Sequence, residues 1–467
     1  MQLPQDFGMR MKKELKDQWE AFLQAYEKPP VRGLRFSSRR LGTLGGGCEA
    51  EQKEALKRLP LGEEVSWCAA GRYIDEYEAG EGRPDRGPGS DPLHFAGLYY
   101  IQEPSAMLPA ATLQVRPGDR VLDLCAAPGG KSTQLIDDMK DEGLLVSNDI
   151  SVSRGRAIVK NLERFGAGRI LVTAESPENL AAAFPGFFDK ILVDAPCSGE
   201  GMFRREPSMR EEWERKGPDY YVPLQRQILC EAVKMLRPGG SLVYSTCTFN
   251  RQEDEENAAW LAAEYEGLRL VGERKLMPHR EQAEGQYAAL FEYMLPESDG
   301  RNNEDGLAGG GRLGRASGFT PYRALGKKEK ESCEAFFALT GQTFCRDRWQ
   351  VLDGQLYELP VCAGELPRLR YLRTGLHLGE FKNGRFEPSQ ALALYLDGSR
   401  FANTVNFAAG DERIVRYLKG ETVDGAGASF QGSDGWCLVL LSGLSLGFAK
   451  RKGNMLKNKY APGWRMQ

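Results

Sequence analysis

Five short apolar runs, at 120–124, 144–148, 170–173, 190–194 and 241–245, are separated by segments of helix length. Strand-sized runs alternating with helix-sized stretches predict a parallel sheet with helices on both faces, the α/β doubly wound arrangement. A sixth run, 287–294, follows Gly285 and is expected as an edge strand of the same sheet. Upstream, Leu15, Trp19, Phe22, Leu23 and Tyr26 recur at helical spacing and stop at Pro29 and Pro30. One amphipathic helix, then a strand over 31–36, would open a small α/β domain. Gly, Pro, Asp and Arg crowd 79–90, which marks a flexible loop and a first boundary near residue 90. Seven glycines with Ser, Asn and Asp fill 297–318, where burial cannot offset the entropy of ordering, so a linker is expected. The pattern therefore divides into an N-terminal α/β domain (1–90), a doubly wound core (91–295), a linker (296–321), a small α/β module (322–395) and a terminal domain (396–467).

A chain of 467 residues exceeds one ordinary core. With 41% hydrophobic and 27% charged residues it has the material to bury several. The net charge of −3 means that any nucleic-acid binding must come from local basic faces. One such face is suggested after Leu438, where no acidic residue occurs and Lys450, Arg451, Lys452, Lys457, Lys459 and Arg465 surround Phe448, Tyr460 and Trp464. Interleaved basic and aromatic groups suit stacked, unpaired bases, the alternative being a solvated tail. No apolar run has the length of a membrane span and the N-terminus is charged, so a soluble, cytoplasmic protein is expected. Ten cysteines form no CxxC pair and the three histidines are dispersed, which leaves no disulfide framework and no metal site in prospect. Cysteine and carboxylate chemistry remain.

The first of these sits between run 120–124 and a helix expected to start near Gly130. Cys125, Ala126, Ala127, Pro128, Gly129, Gly130 and Lys131 make a turn of small residues that lets a ligand approach the backbone at a helix N-terminus. A phosphate-binding P-loop would need glycine where Cys125 stands, and a dinucleotide GxGxxG is absent. Asp149 ends the second strand nineteen residues after Gly130, the separation at which a carboxylate holds ribose hydroxyls. An adenosine cofactor without phosphates, S-adenosylmethionine, fits this set better than a nucleotide. An ordinary strand-to-helix turn is the plain alternative.

The fourth run leads into Asp194-Ala195-Pro196-Cys197-Ser198-Gly199, and the fifth ends in Ser245-Thr246-Cys247. Neighbouring strand ends in a doubly wound sheet face one crevice, so Asp194, Cys197 and Cys247 should converge beside the cofactor. Either cysteine alone reads more simply as packing. Spacing does not decide which thiol would attack a substrate. Arg204 and Arg205 follow in the same loop and are candidates for phosphate contacts or mere surface charge.

CAAPGGK at 125–131, DAPCSGEGMFR at 194–204, STC at 245–247 and GLYYIQEPSAM at 97–107 together resemble the Nop/Sun RNA cytosine-5 methyltransferases, and within them the bacterial RsmF-type ribosomal RNA enzymes. The GFAKRKGNMLKNKYAPGW segment near the C-terminus is similar to that family's PUA-like RNA-binding domain. The resemblance implies a Rossmann-like S-adenosylmethionine-dependent core with RNA-binding modules on both sides. It assigns addition to cytosine C6 to Cys247, release of the modified base to Cys197 and stabilisation at N3 to Asp194, which also borders the cofactor. It places the cofactor against residues 125–131 and its ribose on Asp149, with Arg154 in support. Where the RsmF pattern has an aspartate this chain has Ser176, so either Glu175 or Ser176 is expected at the adenosine. Lys131 would orient the cofactor or Asp194, or cap the loop. The implied partner is structured RNA, foremost ribosomal RNA or the small ribosomal subunit, with a monomeric enzyme. Transfer RNA, or an idle RNA-binding assembly factor that kept the fold, are the alternatives.

Overall fold

The computed structural model describes residues 3–75, 87–294 and 321–467. At its centre is a sheet of eight strands: β1 (Arg120–Asp123), β2 (Leu144–Asn148), β3 (Ile170–Thr173), β4 (Phe188–Asp194), β5 (Leu236–Thr246), β6 (Leu268–Leu276), β7 (Gln286–Tyr293) and β8 (Tyr371–Thr374). Their spatial order is β6-β7-β5-β4-β1-β2-β3-β8. β1 to β5 run parallel to their neighbours within the set, whereas β6, β7 and β8 are joined antiparallel.

Alternation of side chains along each strand feeds two cores. Leu122, Val146, Leu171 and Ile191 point to one face, under α3 (Pro177–Ala183), α4 (Ser208–Met235, broken at Gly217) and α5 (Glu255–Glu264). Val121, Leu145, Val172 and Leu192 point to the other, under α1 (Gly130–Asp138) and α2 (Val152–Arg164). The strand after Gly285 is not an edge: β7 lies between β5 and β6. The true edges are β6, whose middle is charged and exposed as befits an open edge, and β8, contributed from beyond residue 321. Neither has an unbroken apolar run for the sequence to betray.

The helix expected over Leu15 to Tyr26 is found at Trp19–Glu27, and a further helix that the periodicity did not give, Gln5–Leu15, precedes it, separated where Lys16 takes a φ of 51°. The break lets Phe7 and Met11 from one helix meet Phe22 and Tyr26 from the other, in a cluster with Phe203 and Phe249 of the core. A four-stranded sheet follows, ordered Leu61–Val65, Cys68–Ile74, Gly33–Phe36, Tyr99–Ile101.

On either side of β8 the chain forms a second four-stranded antiparallel sheet (Trp349–Leu352, Gln355–Glu358, Leu376–Lys382, Arg385–Pro388), and beyond it a six-stranded sheet spanning Thr404–Phe407 to Met455–Asn458. Leu34, Phe36, Leu98 and Tyr99 share one buried cluster with Val405, Phe407, Val439 and Leu446, so the first and last sheets pack against each other. Phe448 and Tyr460, expected as stacking aromatics, are buried instead, and their rings serve the cores of the terminal sheets. Trp464 is half-buried with Lys160 and Arg164 over its ring at 5.6 and 6.0 Å. Lys450, Lys452, Lys457, Lys459 and Arg465 remain exposed, but the aromatic half of that expectation fails for Phe448, whose strand is buried on both faces, and for Tyr460, which packs against Tyr417 beyond the last strand. The loop expected over 79–90 lies largely, and the linker over 296–321 almost wholly, outside the described residues.

Candidate active site

The carboxyl ends of β1, β2, β4 and β5 border a cleft of about 760 Å³. Cys125, Ala127, Asp149, Arg154, Glu175, Ser176, Asp194, Cys197 and Cys247 all line it. Ala126, Pro128, Gly129, Gly130 and Lys131 belong to the same loop but do not line the cleft. Gly129 precedes α1 at φ 106°, a conformation that favours glycine. A Cβ on Gly130 would lie 3.0 Å from the Tyr100 ring. The carbonyl of Pro128 accepts from Asn161 Nδ2 at 2.9 Å, tying the loop to α2.

Asp149 is buried at the tip of β2, where Oδ1 accepts the Ser151 amide at 2.9 Å and Oδ2 faces Arg154 Nη2 at 3.2 Å. The same Arg154 nitrogen reaches the Ala127 carbonyl at 3.4 Å, so this exposed arginine bridges the 125–131 loop and the acid. Asn148 fastens the next strand end: its Oδ1 accepts the Glu175 amide at 3.0 Å and its Nδ2 donates to the carbonyls of Leu124 and Glu175. Ser176 caps α3 by accepting the Asn179 amide. The Glu175 carboxylate takes hydrogen bonds from Asn179 Nδ2 at 2.8 Å and from the Arg370 amide at 2.5 Å.

Asp123, at the end of β1, accepts from Ser132 Oγ at 2.6 Å through one oxygen while the other has no hydrogen-bond partner. Burial pushes this carboxyl up to about 7, against the opposing Ser132 hydrogen bond and Lys131 charge. The folded protein thus keeps a proton that the unfolded chain loses near 3.8. The associated penalty is absent below about pH 4, grows with pH, and is complete above about pH 7. Asp123→Asn should therefore gain stability relative to the wild type by roughly 4 kcal/mol as pH rises from about 4 to 8, at about 1.4 kcal/mol per unit. Urea unfolding of both proteins across that range measures it; a constant difference would contradict the buried proton.

At the β4–β5 end of the cleft, Asp194 and Ser245 are register partners. The Asp194 carboxylate is held by three donors: Lys131 Nζ at 2.7 Å, Ser245 Oγ at 2.7 Å and Gln286 Nε2 at 3.2 Å. Burial would lower the Lys131 ammonium, but the charge of Asp194 and its hydrogen bond outweigh that, with help from Asp123 and Cys247, and hold it raised. Lys131 therefore orients the carboxylate rather than merely capping its loop.

Cys197 Sγ and Cys247 Sγ lie 3.3 Å apart. Cys197 is buried and Cys247 is more open. Their hydrogen bond, then burial, raise the Cys197 thiol well above its ordinary range. Each cysteine has its own anchor. The Cys247 carbonyl accepts the Gly201 amide at 2.9 Å, and a Cβ on Gly201 would come within 2.9 Å of that oxygen. Beside Cys197, the buried Glu253 accepts from the Ser198 amide and hydroxyl and from Gln225 Nε2. One turn on, Glu200 is fully buried and accepts from Arg10, Trp213 and the Phe249 amide, while its carbonyl accepts from Tyr26. The N-terminal helices thereby clamp the loop that carries Cys197.

Arg204 does not present itself to phosphate. It is buried, pairs with Glu284 at 2.7 Å and donates to the Ala25 carbonyl, since a guanidinium among apolar neighbours needs these acceptors. Arg205 is exposed and donates to the Val31 carbonyl. Residues that sequence reasoning missed include Gln286, Glu253 and Ile150. Ile150 is 70% exposed on the cleft wall directly after Asp149, an apolar side chain with no structural reason to face water. Its signal was available as an isoleucine following the ribose-type acid; Glu253 was hidden in an acidic run that reads as a solvated face. Among the described residues, no cluster of His, Cys, Asp and Glu could hold a metal ion, and no helix is long and apolar enough to cross a membrane.

Sheet order, the cleft at the strand ends and the acid at β2 define a Rossmann-like S-adenosylmethionine-dependent methyltransferase. Residues 110–292 match the 16S rRNA methyltransferase RsmB/F family. Residues 3–104, 335–396 and 404–466 match the N-terminal domain, first C-terminal domain and PUA domain of RsmF. The chain is 30% identical to the ribosomal RNA small subunit methyltransferase F of Enterobacter sp. (strain 638), over 98% of this chain and 95% of that one. It is 31% identical to the protein of the same name from Cronobacter sakazakii, over 85% and 83%. A methyltransferase homologue from Pyrococcus horikoshii has a similar structure, with a TM-score of 0.50 and 26% identity over 60% of this chain and 91% of that one. NSun6 from the same organism, determined with SFG, shares the fold at a TM-score of 0.53 and 20% identity, over 63% and 99%. The chain belongs to the RsmF family of ribosomal RNA cytosine-5 methyltransferases.

Proposed function

We propose that the protein methylates C5 of a cytosine in small-subunit ribosomal RNA through a covalent adduct between Cys247 and C6, acting as a cytoplasmic monomer. The observation that carries this reading is the pair of sulfurs 3.3 Å apart beside a carboxylate fixed by Lys131. All three chemical groups come from one chain, so no second copy is needed.

S-adenosylmethionine, when bound, supplies a methyl group on a sulfonium. The cleft suits it: Asp149 offers a carboxylate for ribose hydroxyls, and Ile150 and Leu224 offer apolar surface for the adenine ring. Glu175 and Ser176 lie at that same end. Cytosine C5 is too weak a nucleophile to take the methyl unaided. The hydrogen bond between the two sulfurs, and then burial, keep a proton on Cys197, which leaves the more open Cys247 sulfur to attack. Addition of that sulfur to C6 forms the S–C6 bond and moves the C5–C6 π electrons toward C5. A proton delivered to N3 through Asp194, with Lys131 beside it, neutralises the negative charge that addition places on the ring. After C5 has taken the methyl, a base removes the C5 proton, its electrons rebuild the double bond, and the C6–S bond breaks to return the thiolate. Cys197 assists this last step. The cytosine must leave its stack for the sulfur to reach C6, so a looped or flipped base is the substrate form.

Bisulfite sequencing of total RNA from a strain lacking the gene tests the substrate. One protected cytosine in 16S rRNA should become convertible; loss of protection confined to transfer RNA, or no change, would contradict the proposal.

A further inference from the structure

The eighth strand of the catalytic sheet comes from the module beyond the core, and it meets the cofactor end of the cleft. β8 pairs with β3 through Tyr371 and Thr173, Arg373 and Val172, and Thr374 and Leu171. The ladder continues outward, with the Ala174 amide donating to the Arg370 carbonyl at 3.0 Å and the Gly375 amide to the Ile170 carbonyl at 2.7 Å. Immediately after Ala174, the Glu175 carboxylate lies on the Arg370 amide at 2.5 Å. Glu175 and Ser176 both line the cleft.

The same four-residue strand also grips α2, the helix that carries Arg154. Leu372 fills the space beside Gly155, where a Cβ would come within 2.4 Å of its Cδ1. Arg373 pairs with Glu163, near the far end of that helix, at 2.8 Å, with both side chains little exposed. An edge strand serving only to cover an open sheet needs its ladder. It does not need a backbone amide aimed at a carboxylate of the ligand cleft, nor two side-chain anchors on the helix that follows Asp149.

We propose that Arg370 and strand Tyr371–Thr374 are positioning elements for the adenosine half of the cofactor site, so that the C-terminal module sets the affinity for S-adenosylmethionine before RNA is bound. This rests on the reading of Glu175 as a cofactor contact. The amide holds the Glu175 carboxylate in one orientation, which removes an ordering cost that binding would otherwise meet. Anchoring at Gly155 and Glu163 does the same for Arg154 and, through it, for Asp149.

Calorimetric titration of S-adenosylmethionine into the RNA-free full chain tests this with Glu175→Ala, Arg370→Pro and the double variant. Proline removes the amide hydrogen but keeps the carbonyl that accepts from Ala174. Each single variant should weaken binding by about tenfold, and the double variant should be no weaker than the worse single, because both remove one interaction. The cofactor-free thermal midpoints should differ far less than the affinities. Hydrogen exchange on the wild type is the companion measurement: added S-adenosylmethionine should slow exchange of the 370–374 amides, whatever the folding of the proline variant. Wild-type affinity in Glu175→Ala would remove the contact on which the proposal stands. Weak binding in Glu175→Ala with wild-type affinity in Arg370→Pro, or no cofactor-dependent protection at 370–374, would overturn the positioning role and leave the contact intact.

Discussion

Cys247→Ala is expected to reduce methyl transfer to background while leaving cofactor binding intact, and Cys197→Ala to accumulate a protein–RNA species that survives denaturation. The two outcomes differ because the sulfurs, though only 3.3 Å apart, occupy different surroundings. Cys247 is the more open and follows directly on the strand that carries Ser245, the partner of Asp194. Without its sulfur nothing activates C5, and no adduct forms to be trapped. Cys197 is buried, and its loop is fixed through Ser198 on Glu253. Its loss leaves addition and methylation possible and slows elimination, so the adduct persists. A denaturing gel with labelled RNA reads both variants at once, and a shifted band from Cys247→Ala instead of Cys197→Ala would reverse the assignment.

Asp194→Asn should lower kcat by about two to three orders of magnitude, the range for loss of a preorganised group that meets charge in the transition state. The carboxylate is not loosely placed. Lys131, Ser245 and Gln286 hold it from three directions, which means its lone pairs are oriented before the base arrives. Asparagine keeps the size but puts an amide against either the Lys131 ammonium or the two neutral donors, so the arrangement cannot be reproduced. Single-turnover methylation with saturating cofactor measures the loss. The KM for S-adenosylmethionine should move much less than kcat; the opposite split would make Asp194 a cofactor residue alone.

Much of the catalytic sheet was legible because β1 to β5 are buried on both faces, and burial on both faces writes itself as unbroken apolar runs. The same logic explains the failures. β6 alternates charge with aliphatic residues at an exposed edge, and β8 reads Tyr-Leu-Arg-Thr, with nothing in its four residues to say that it joins a sheet some two hundred positions earlier in the chain. Of the two N-terminal helices only Trp19–Glu27 was read; Gln5–Leu15 buries just Phe7 and Met11 among charged residues, too few apolar positions to show a period. For the site, the positions of Cys125, Asp149, Asp194, Cys197 and Cys247 follow from strand ends, and strand ends were readable. What those residues lean on was not. Gln286 acts from a separate strand, and Glu253 and Glu200, though close in sequence to the cysteines, are buried, a tertiary fact that overrides their polar identity. The aromatic residues of the C-terminal tail show the converse: beside lysines they suggested a stacking surface, but Phe448 lies in a strand buried on both faces.

The sharpest test is to supply the enzyme with S-adenosylmethionine and target RNA in which the cytosine carries fluorine at C5. After methyl transfer there is no proton on C5 to remove, so elimination stops and the covalent species can be digested and sequenced by mass spectrometry. The peptide carrying the nucleotide should be the one with Cys247 at the end of β5. A nucleotide found on Cys197 instead, or no protein-bound nucleotide at all from an active preparation, would contradict the mechanism.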